Sequence, residues 1–233
     1  MIKKKYEHLF FDLDHTIWDF EANSVLTLKE IFAEFNLFNH IPSFDEFYEQ
    51  YKPINRKLWD AYEKKLIPKE SVRVDRFDLS LKYFGLNDRP LAGSIANYYT
   101  MHSPSKGKLI DGAEHVLQTL QPHYNIHLIT NGFKEVQFIK INTTGIEKYF
   151  DQIIISEIVG VMKPATEIFD FALQKASAQK SNSIMIGDSL YADIEGAMLY
   201  GMDAVFYNPD KIIHNSKPTH EISDMHELLN ILR

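Results

Sequence analysis

The 233-residue chain contains no cysteine. That absence excludes disulfides, a thiolate zinc site and a cysteine nucleophile, and it fits a reducing compartment. Positive charge is also in short supply: 25 Lys and Arg stand against 32 Asp and Glu, a net charge of −7. A general nucleic-acid binder needs a basic face that displaces counterions, so no nucleic acid polymer is expected as partner. No apolar run is long enough to span a bilayer, so no membrane partner is expected. After Lys3-Lys4-Lys5 the apolar stretch Leu9-Phe10-Phe11 stops at Asp12, too short for a secretory leader. The expected location is therefore cytoplasmic. Internal repeats and low-complexity stretches are missing too. The histidines form no H-E-x-x-H pair, and His123 and His127, flanking a strand start, are expected at the surface.

What remains is a soluble globular composition, 45% hydrophobic and 24% charged, at a length that suits one core domain with an insert. Two textures alternate along it. Residues 6–12 read as a short buried strand. From about 19 to 102 no strand is evident; apolar residues such as Leu26, Ile31, Phe35 and Leu37 recur at helical spacing. Pro53, Pro68 and Pro90 suit the first turns of helices, where a missing N–H costs nothing. After Gly107 strands and helices alternate. Asp111 is placed to cap a helix running to Gln121. Strands are expected at 125–130, 152–156, 183–187 and 203–207, and helices at 133–143, 165–176, 190–200 and 223–232. Such alternation implies crossover connections and a parallel sheet covered on both faces. The fold class is α/β, a Rossmann-like doubly wound parallel sheet with an inserted all-helical cap. The expected division is 1–17 with 103–233 as core, and 18–102 as cap. An insert after the first strand lies at the sheet edge where ligands bind in open α/β sheets.

Four strand ends carry chemistry. In Asp12-Leu13-Asp14-His15-Thr16 the two carboxylates are two residues apart, so a strand projects both to one side, where a divalent cation or a shared proton must reconcile them. The plainer reading is a polar strand end. In Leu128-Ile129-Thr130-Asn131-Gly132 a hydroxyl and free amides precede a helix, an arrangement that suits an anion; an ordinary strand-turn-helix looks the same. Lys163 precedes Pro164 among apolar residues, where burial competes with a solvated surface charge. In Gly187-Asp188-Ser189-Leu190-Tyr191-Ala192-Asp193, Asp188 ends a strand and Asp193 lies one turn into the next helix, facing one site or merely complementing the helix dipole. All four fall at C-terminal ends of expected parallel strands and so converge on one crevice. Carboxylate oxygens of this kind suit Mg2+; with a lysine and amide donors they suit phosphoryl transfer, for which an aspartate is an established nucleophile.

These motifs, in this order and with a helical insert after the first, resemble the haloacid dehalogenase superfamily of phosphohydrolases across the whole chain. The resemblance implies Asp12 as nucleophile and Asp14 as general acid and then base, its pKa raised to suit. It implies Thr130, Asn131 and Lys163 as phosphate-binding residues, with Lys163 also neutralising the nucleophile. It implies a Mg2+ cofactor held by Asp12, the Asp14 carbonyl, Asp188 and Asp193. The dehalogenases themselves work without metal and lack a carboxylate at the position of Asp14, which points this chain to phosphate chemistry. A finer likeness, in Ile129–Phe133, Ser156–Pro164 and Gly187–Asp193, is to the bacterial house-cleaning pyrimidine 5′-nucleotidases. The implied partner is a small phosphorylated metabolite, a nucleoside monophosphate. A sugar-phosphate phosphatase or phosphosugar mutase is the alternative; a phospho-accepting receiver is opposed by the length and by the spacing of Asp12 and Asp14. Trp18 and Phe20 are placed either to stack on a base or to pack at the hinge. In the cap, Lys52, Asn55, Arg56 and Trp59 either read the nucleoside or form a solvated helix face.

Overall fold

The computed structural model describes residues 6–232; the Lys3-Lys4-Lys5 segment lies outside the described residues. The chain forms two compact units. One runs to Phe20 and resumes at Gly107, and the other spans Glu21–Lys106.

The first unit is built on a six-stranded sheet: β1 (His8–Phe11), β2 (Asn125–Thr130), β3 (Gln152–Ile155), β4 (Ser183–Gly187), β5 (Asp203–Tyr207) and β6 (His220–Ile222), in the order β3-β2-β1-β4-β5-β6. Every pairing is parallel. The side-chain period of two sorts the strand residues onto opposite faces. Leu9, Phe11, Leu128, Ile186 and Val205 join one buried cluster; Phe10, Ile129, Met185 and Phe206 join the other. A sheet apolar on both faces must be covered on both, which is the doubly wound arrangement. The register sets Phe11 beside Leu128 and Ile186, so the residues that follow β1, β2 and β4 emerge at one edge.

The second unit is helical: α1 (Phe20–Glu34), α2 (Phe44–Glu63), α3 (Lys69–Tyr83) and α4 (Arg89–His102). Its core is aromatic, with Phe32, Phe47, Tyr51, Phe77 and Tyr99 buried together. Ser43 caps α2 by accepting from the Glu46 amide at 3.2 Å, and Asp88 caps α4 through the Leu91 amide at 2.9 Å. Pro68 and Pro90 do stand at helix starts. Pro53 does not; it lies inside α2. Its ring is exposed, and burial of Phe47 and Tyr51 on the opposite side carries the helix through the lost hydrogen bond.

The sheet is flanked by α5 (Ala113–Leu120), α6 (Lys134–Thr144), α7 (Ser156–Val159), α8 (Thr166–Ala176), α9 (Gly196–Tyr200) and α10 (Leu228–Ile231). Several sequence expectations need correction. Asp111 is not the cap of α5. Gly112 holds that position at φ 76° with no side-chain bond, and a Cβ there would meet the His226 ring at 2.4 Å. The helix expected at 190–200 opens as a π-helical turn, Leu190–Glu195, because the Asp193 and Ile194 amides both bond back to the Ser189 carbonyl. The closing helix is shorter than expected, α10 following a 3-10 turn. β6 was not anticipated; three residues are too few to show a period. His127 is not at the surface. It sits inside β2, between β1 and β3, and is 1% exposed, with its Nε2 3.1 Å from His8 Nδ1. Among the described residues no helix is long and apolar enough to cross a membrane.

Candidate active site

Asp12 follows β1 directly, and its amide donates to the Ile186 carbonyl at 2.9 Å, which pins it between β1 and β4. The chain then turns sharply: the amides of Ile17 and Trp18 both bond to the Leu13 carbonyl, and His15 adopts φ 63°. A non-glycine residue in that left-handed region is uncommon and marks a turn held by its surroundings. Because β1 ends at Phe11, Asp12 and Asp14 are no longer governed by strand alternation, and their carboxylates take different partners.

Lys163 is 1% exposed. Its Nζ lies 2.6 Å from Asp12 Oδ1 and 2.6 Å from Asp193 Oδ1, and donates to the Ile129 carbonyl at 2.7 Å. The ammonium donates hydrogen bonds to Asp12 and to the Ile129 carbonyl, and pairs with Asp193 as an ion contact. Burial pushes its pKa down, but the two carboxylates outweigh burial and hold it above the ordinary lysine value. Asn131 secures the lysine from behind: its Nδ2 donates to the Lys163 carbonyl at 3.0 Å and its Oδ1 accepts from the Lys163 amide at 2.9 Å. The Asn131 side chain thus positions Lys163 through both of its polar atoms. The burial expected for Lys163 from its apolar neighbours is found.

Asp12, Asp188 and Asp193 each offer an oxygen within 4.8 Å of the others. Burial raises the Asp12 pKa well above the carboxylate range; Lys163 opposes this, and Asp193 and Asp188 add to it. Asp188 is pushed up to about 8, by burial first and by Asp193 second, against the hydrogen bond it accepts from Thr16 at 2.9 Å. Asp193 turns back over the end of β4, its Oδ2 accepting from the Ser189 amide at 3.0 Å. Gly187 makes this possible, since a Cβ there would stand 2.2 Å from Asp193 Oδ2. Three crowded carboxyl groups with one lysine between them leave negative charge uncompensated once ionised. Hard oxygen donors in that state fit a divalent cation such as Mg2+.

Asp14 stands apart from that trio. Its Oδ1 lies 2.5 Å from Lys140 Nζ and its Oδ2 accepts from Gln137 Nε2 at 2.8 Å. Burial raises its pKa, but the Lys140 ammonium and these hydrogen bonds prevail and hold it below the ordinary value. The raised pKa expected of an acid is thus absent in this arrangement. Gln137 also donates to Thr130 Oγ1 at 2.6 Å, and the Gly132 amide donates to the same oxygen at 3.2 Å. With its oxygen accepting twice, the Thr130 hydroxyl keeps its proton for another acceptor. Gln137 and Lys140 were missed by the sequence reading. Their one signal is position: three residues apart on α6, they share a face with the buried Ile141.

Trp18 and Phe20 do not present open faces. Trp18 is wholly buried, with the Lys140 ammonium 4.3 Å from its ring centre. That burial rules out stacking on a base in this arrangement and corrects the alternative. Phe20 is half-buried against the His15 and Trp18 rings. In the helical unit, Asn55 is buried while Lys52 and Arg56 are exposed and Trp59 is half-buried.

A buried aspartate beside a lysine at the end of the central strand, with two further aspartates at the neighbouring strand end, defines a hydrolase site of a particular class. The family model for haloacid dehalogenase-like hydrolases matches residues 9–207, and the chain belongs to that family. Among its relatives is the HAD-hydrolase YfnB of Bacillus subtilis, 34% identical over 98% of this chain and 96% of that one. The crystal structure of YfnB bound to magnesium superposes with a TM-score of 0.89 over 98% of this chain and 99% of that one. The pyrimidine 5′-nucleotidase PynA of Streptococcus pneumoniae is 32% identical over 97% of this chain and 95% of its own. The pyrimidine 5′-nucleotidase YjjG of Escherichia coli is 29% identical over 98% of both chains.

Proposed function

We propose that the protein is a cytoplasmic Mg2+-dependent phosphomonoester hydrolase whose preferred substrates are pyrimidine nucleoside 5′-monophosphates. The observation that carries the proposal is the buried Asp12–Lys163–Asp193 arrangement, closed to 2.6 Å on both sides of the lysine, with Asp188 completing an oxygen cluster beside it. Likeness to two pyrimidine 5′-nucleotidases over nearly the whole chain supports the substrate class.

In this reading Asp12 attacks phosphorus through a carboxylate oxygen, forming an acyl phosphate as the bond to the leaving oxygen breaks, and water later cleaves the acyl phosphate to release phosphate. Lys163 holds the nucleophile and offsets the negative charge of the phosphoryl oxygens. The Thr130 hydroxyl and the amides at the start of α6 receive those oxygens. Asp12 and Asp188, with Asp193, would hold Mg2+, which supplies further positive charge for the transferring group. Asp14 is the acid and base. Held ionised by Lys140, it is ready to take a proton from water in the second step; donating one in the first requires that ion pair to part.

Hydrolysis of 4-nitrophenyl phosphate is expected with Mg2+ and lost with EDTA. Asp12→Asn is expected to abolish turnover with the fold intact by circular dichroism. Activity in EDTA, or full activity of Asp12→Asn, refutes the mechanism. In a phosphate-release panel, nucleoside monophosphates should exceed sugar phosphates in kcat/KM; sugar phosphates winning by about an order of magnitude overturns the nucleotidase reading.

A further inference from the structure

Gln137 stands in the first turn of α6, where its backbone amide donates to the Phe133 carbonyl at 3.0 Å. Side chains tilt toward a helix N-terminus, so this one reaches back over the end of β2. It is buried, as is Thr130 beside it. Its Nε2 carries two hydrogens, and both are engaged: Thr130 Oγ1 accepts at 2.6 Å and Asp14 Oδ2 at 2.8 Å. Its Oε1 is buried with no hydrogen-bond partner. Turning the amide over would set that oxygen against the Asp14 carboxylate and take a donor from Thr130. The unserved oxygen is the cost of holding the nitrogen on those two acceptors. Gly132 is shaped to the same end. Its φ lies outside the left-handed region, and what requires a glycine there is space: a Cβ would stand 2.0 Å from Gln137 Nε2 and 2.3 Å from its Cδ. The turn after β2 and this helix side chain interlock.

We propose that Gln137 is a positioning residue for phosphoryl transfer that acts through Thr130, fixing the direction in which the Thr130 hydroxyl presents its proton; the inference rests on the phosphatase reading above. A hydroxyl oxygen has two lone pairs. On Thr130 the Gly132 amide takes one at 3.2 Å and Gln137 takes the other at 2.6 Å. The O–H bond is left a single direction, away from both donors. A hydroxyl already aimed at the transferring group needs no rearrangement when charge gathers on the phosphoryl oxygens. Held by the longer Gly132 bond alone, it rotates among several orientations, and only some of them serve the reaction. Asp14 anchors the second hydrogen of the amide, so the nitrogen cannot swing off Thr130 without deserting a carboxylate. For packing alone, an apolar side chain of the same length fills this space and leaves no orphaned oxygen.

The test is steady-state hydrolysis of 4-nitrophenyl phosphate in Mg2+ by the full-length protein, as wild type, Gln137→Met, Thr130→Val and the double variant, with folding followed by circular dichroism. Methionine keeps the length and loses the donors. Asp14 keeps Lys140 and Thr130 keeps the Gly132 amide, so the fold should survive with an unchanged or higher Tm. In Gln137→Met, kcat is expected to fall about tenfold or more while KM stays within about threefold. In the Thr130→Val background the same substitution should cost less than about twofold, because the hydroxyl it aims is already gone. A kcat within about twofold of wild type in Gln137→Met makes the residue mere packing and overturns the proposal. An equal loss in both backgrounds places its action elsewhere, and a loss carried by KM alone assigns it to ground-state binding; either result overturns the proposal too. If Gln137→Met does not fold, Gly132→Ala displaces the same amide from the turn side, and the same comparisons decide. Failure of the underlying reading looks different: the wild type then hydrolyses no phosphomonoester in Mg2+, or Thr130→Val alone matches it.

Discussion

The protonation of Asp188 gives the site a measurable signature. In the metal-free protein its carboxyl is pushed up to about 8 by burial and by the neighbouring Asp193, so at pH 7 most molecules carry a proton on an oxygen that a cation needs. Binding Mg2+ must expel that proton. For a single linked proton, apparent affinity falls about tenfold for each pH unit below the pKa, or about 1.4 kcal/mol per unit. Between pH 8 and pH 6 the affinity for Mg2+ is therefore expected to drop on the order of a hundredfold, and above about 8 to level off. Asp12, also raised by burial and by its two acidic neighbours, shares the trio's titration and steepens the slope. Thr16 supplies the perturbation. Its hydroxyl donates to Asp188 at 2.9 Å and favours the ionised form. A hydrogen bond to a charged group contributes about 1.5–3 kcal/mol, so Thr16→Val should move the plateau upward by about one pH unit or more. Isothermal titration calorimetry with Mg2+ at pH 6, 7, 8 and 9, each in two buffers of different ionisation enthalpy, reads both the affinity and the proton released. A Mg2+ affinity unchanged between pH 6 and 8, or a Thr16→Val curve lying on the wild-type curve, refutes the reasoning.

Two further perturbations test separate parts of the core unit. Gly187→Ala places a methyl 2.2 Å from Asp193 Oδ2. The strand is fixed on both sides, so the carboxylate must leave the Ser189 amide; kcat/KM should fall by more than about tenfold and stability by about 1–3 kcal/mol in urea titration. An activity equal to wild type shows that Asp193 can move without consequence. His127 is buried neutral beside His8, its pKa pushed down to about 4, chiefly by burial. The unfolded imidazole, near 6.5, binds a proton that the folded one refuses, so wild-type stability falls as pH drops from about 6.5 toward about 4. Between pH 7 and pH 5 that loss should exceed the loss in His127→Leu by about 2 kcal/mol, and parallel curves count against it.

The sheet and the strand-end residues were legible because the same local rules that make strands also place their ends. A parallel ladder has one register, and that register aligns Phe11 with Leu128 and Ile186. Once the strands are read from runs such as Ile126–Ile129 and Ile184–Ile186, Asp12, Thr130 and Asp188 must emerge together. Lys163 was legible for a different reason: an apolar surround makes burial of a lysine plausible only with an anion to meet it, and the motif aspartates supply one. His127 was misread although it stands inside the strand expected at 125–130, because an imidazole reads as a polar, solvent-facing position, and it is the neighbouring strands β1 and β3 that bury it.

The residues that stayed invisible share a physical cause. Gln137 and Lys140 sit in a helix whose polar positions read as solvated, because lysine and glutamine favour helix surfaces. What buries them is Asp14, more than a hundred positions away along the chain, and no periodicity carries that information. Arg76 is the same case: it is buried on one helix of the helical unit against Asn55 of another, although the sequence offers Asn55 as part of a solvated face. This matters most for Asp14 itself. Its place in the motif suggests an acid, and acidity is a property of the groups around a carboxyl: beside Asp12 alone it would be raised, beside Lys140 it is lowered. The motif specifies which residue stands at the strand end, and α6 decides which proton state it holds. On the proposed mechanism, proton transfer by Asp14 therefore depends on whether Lys140 stays within 2.5 Å, and the helix after β2 would belong to the catalytic apparatus as much as the strand ends do.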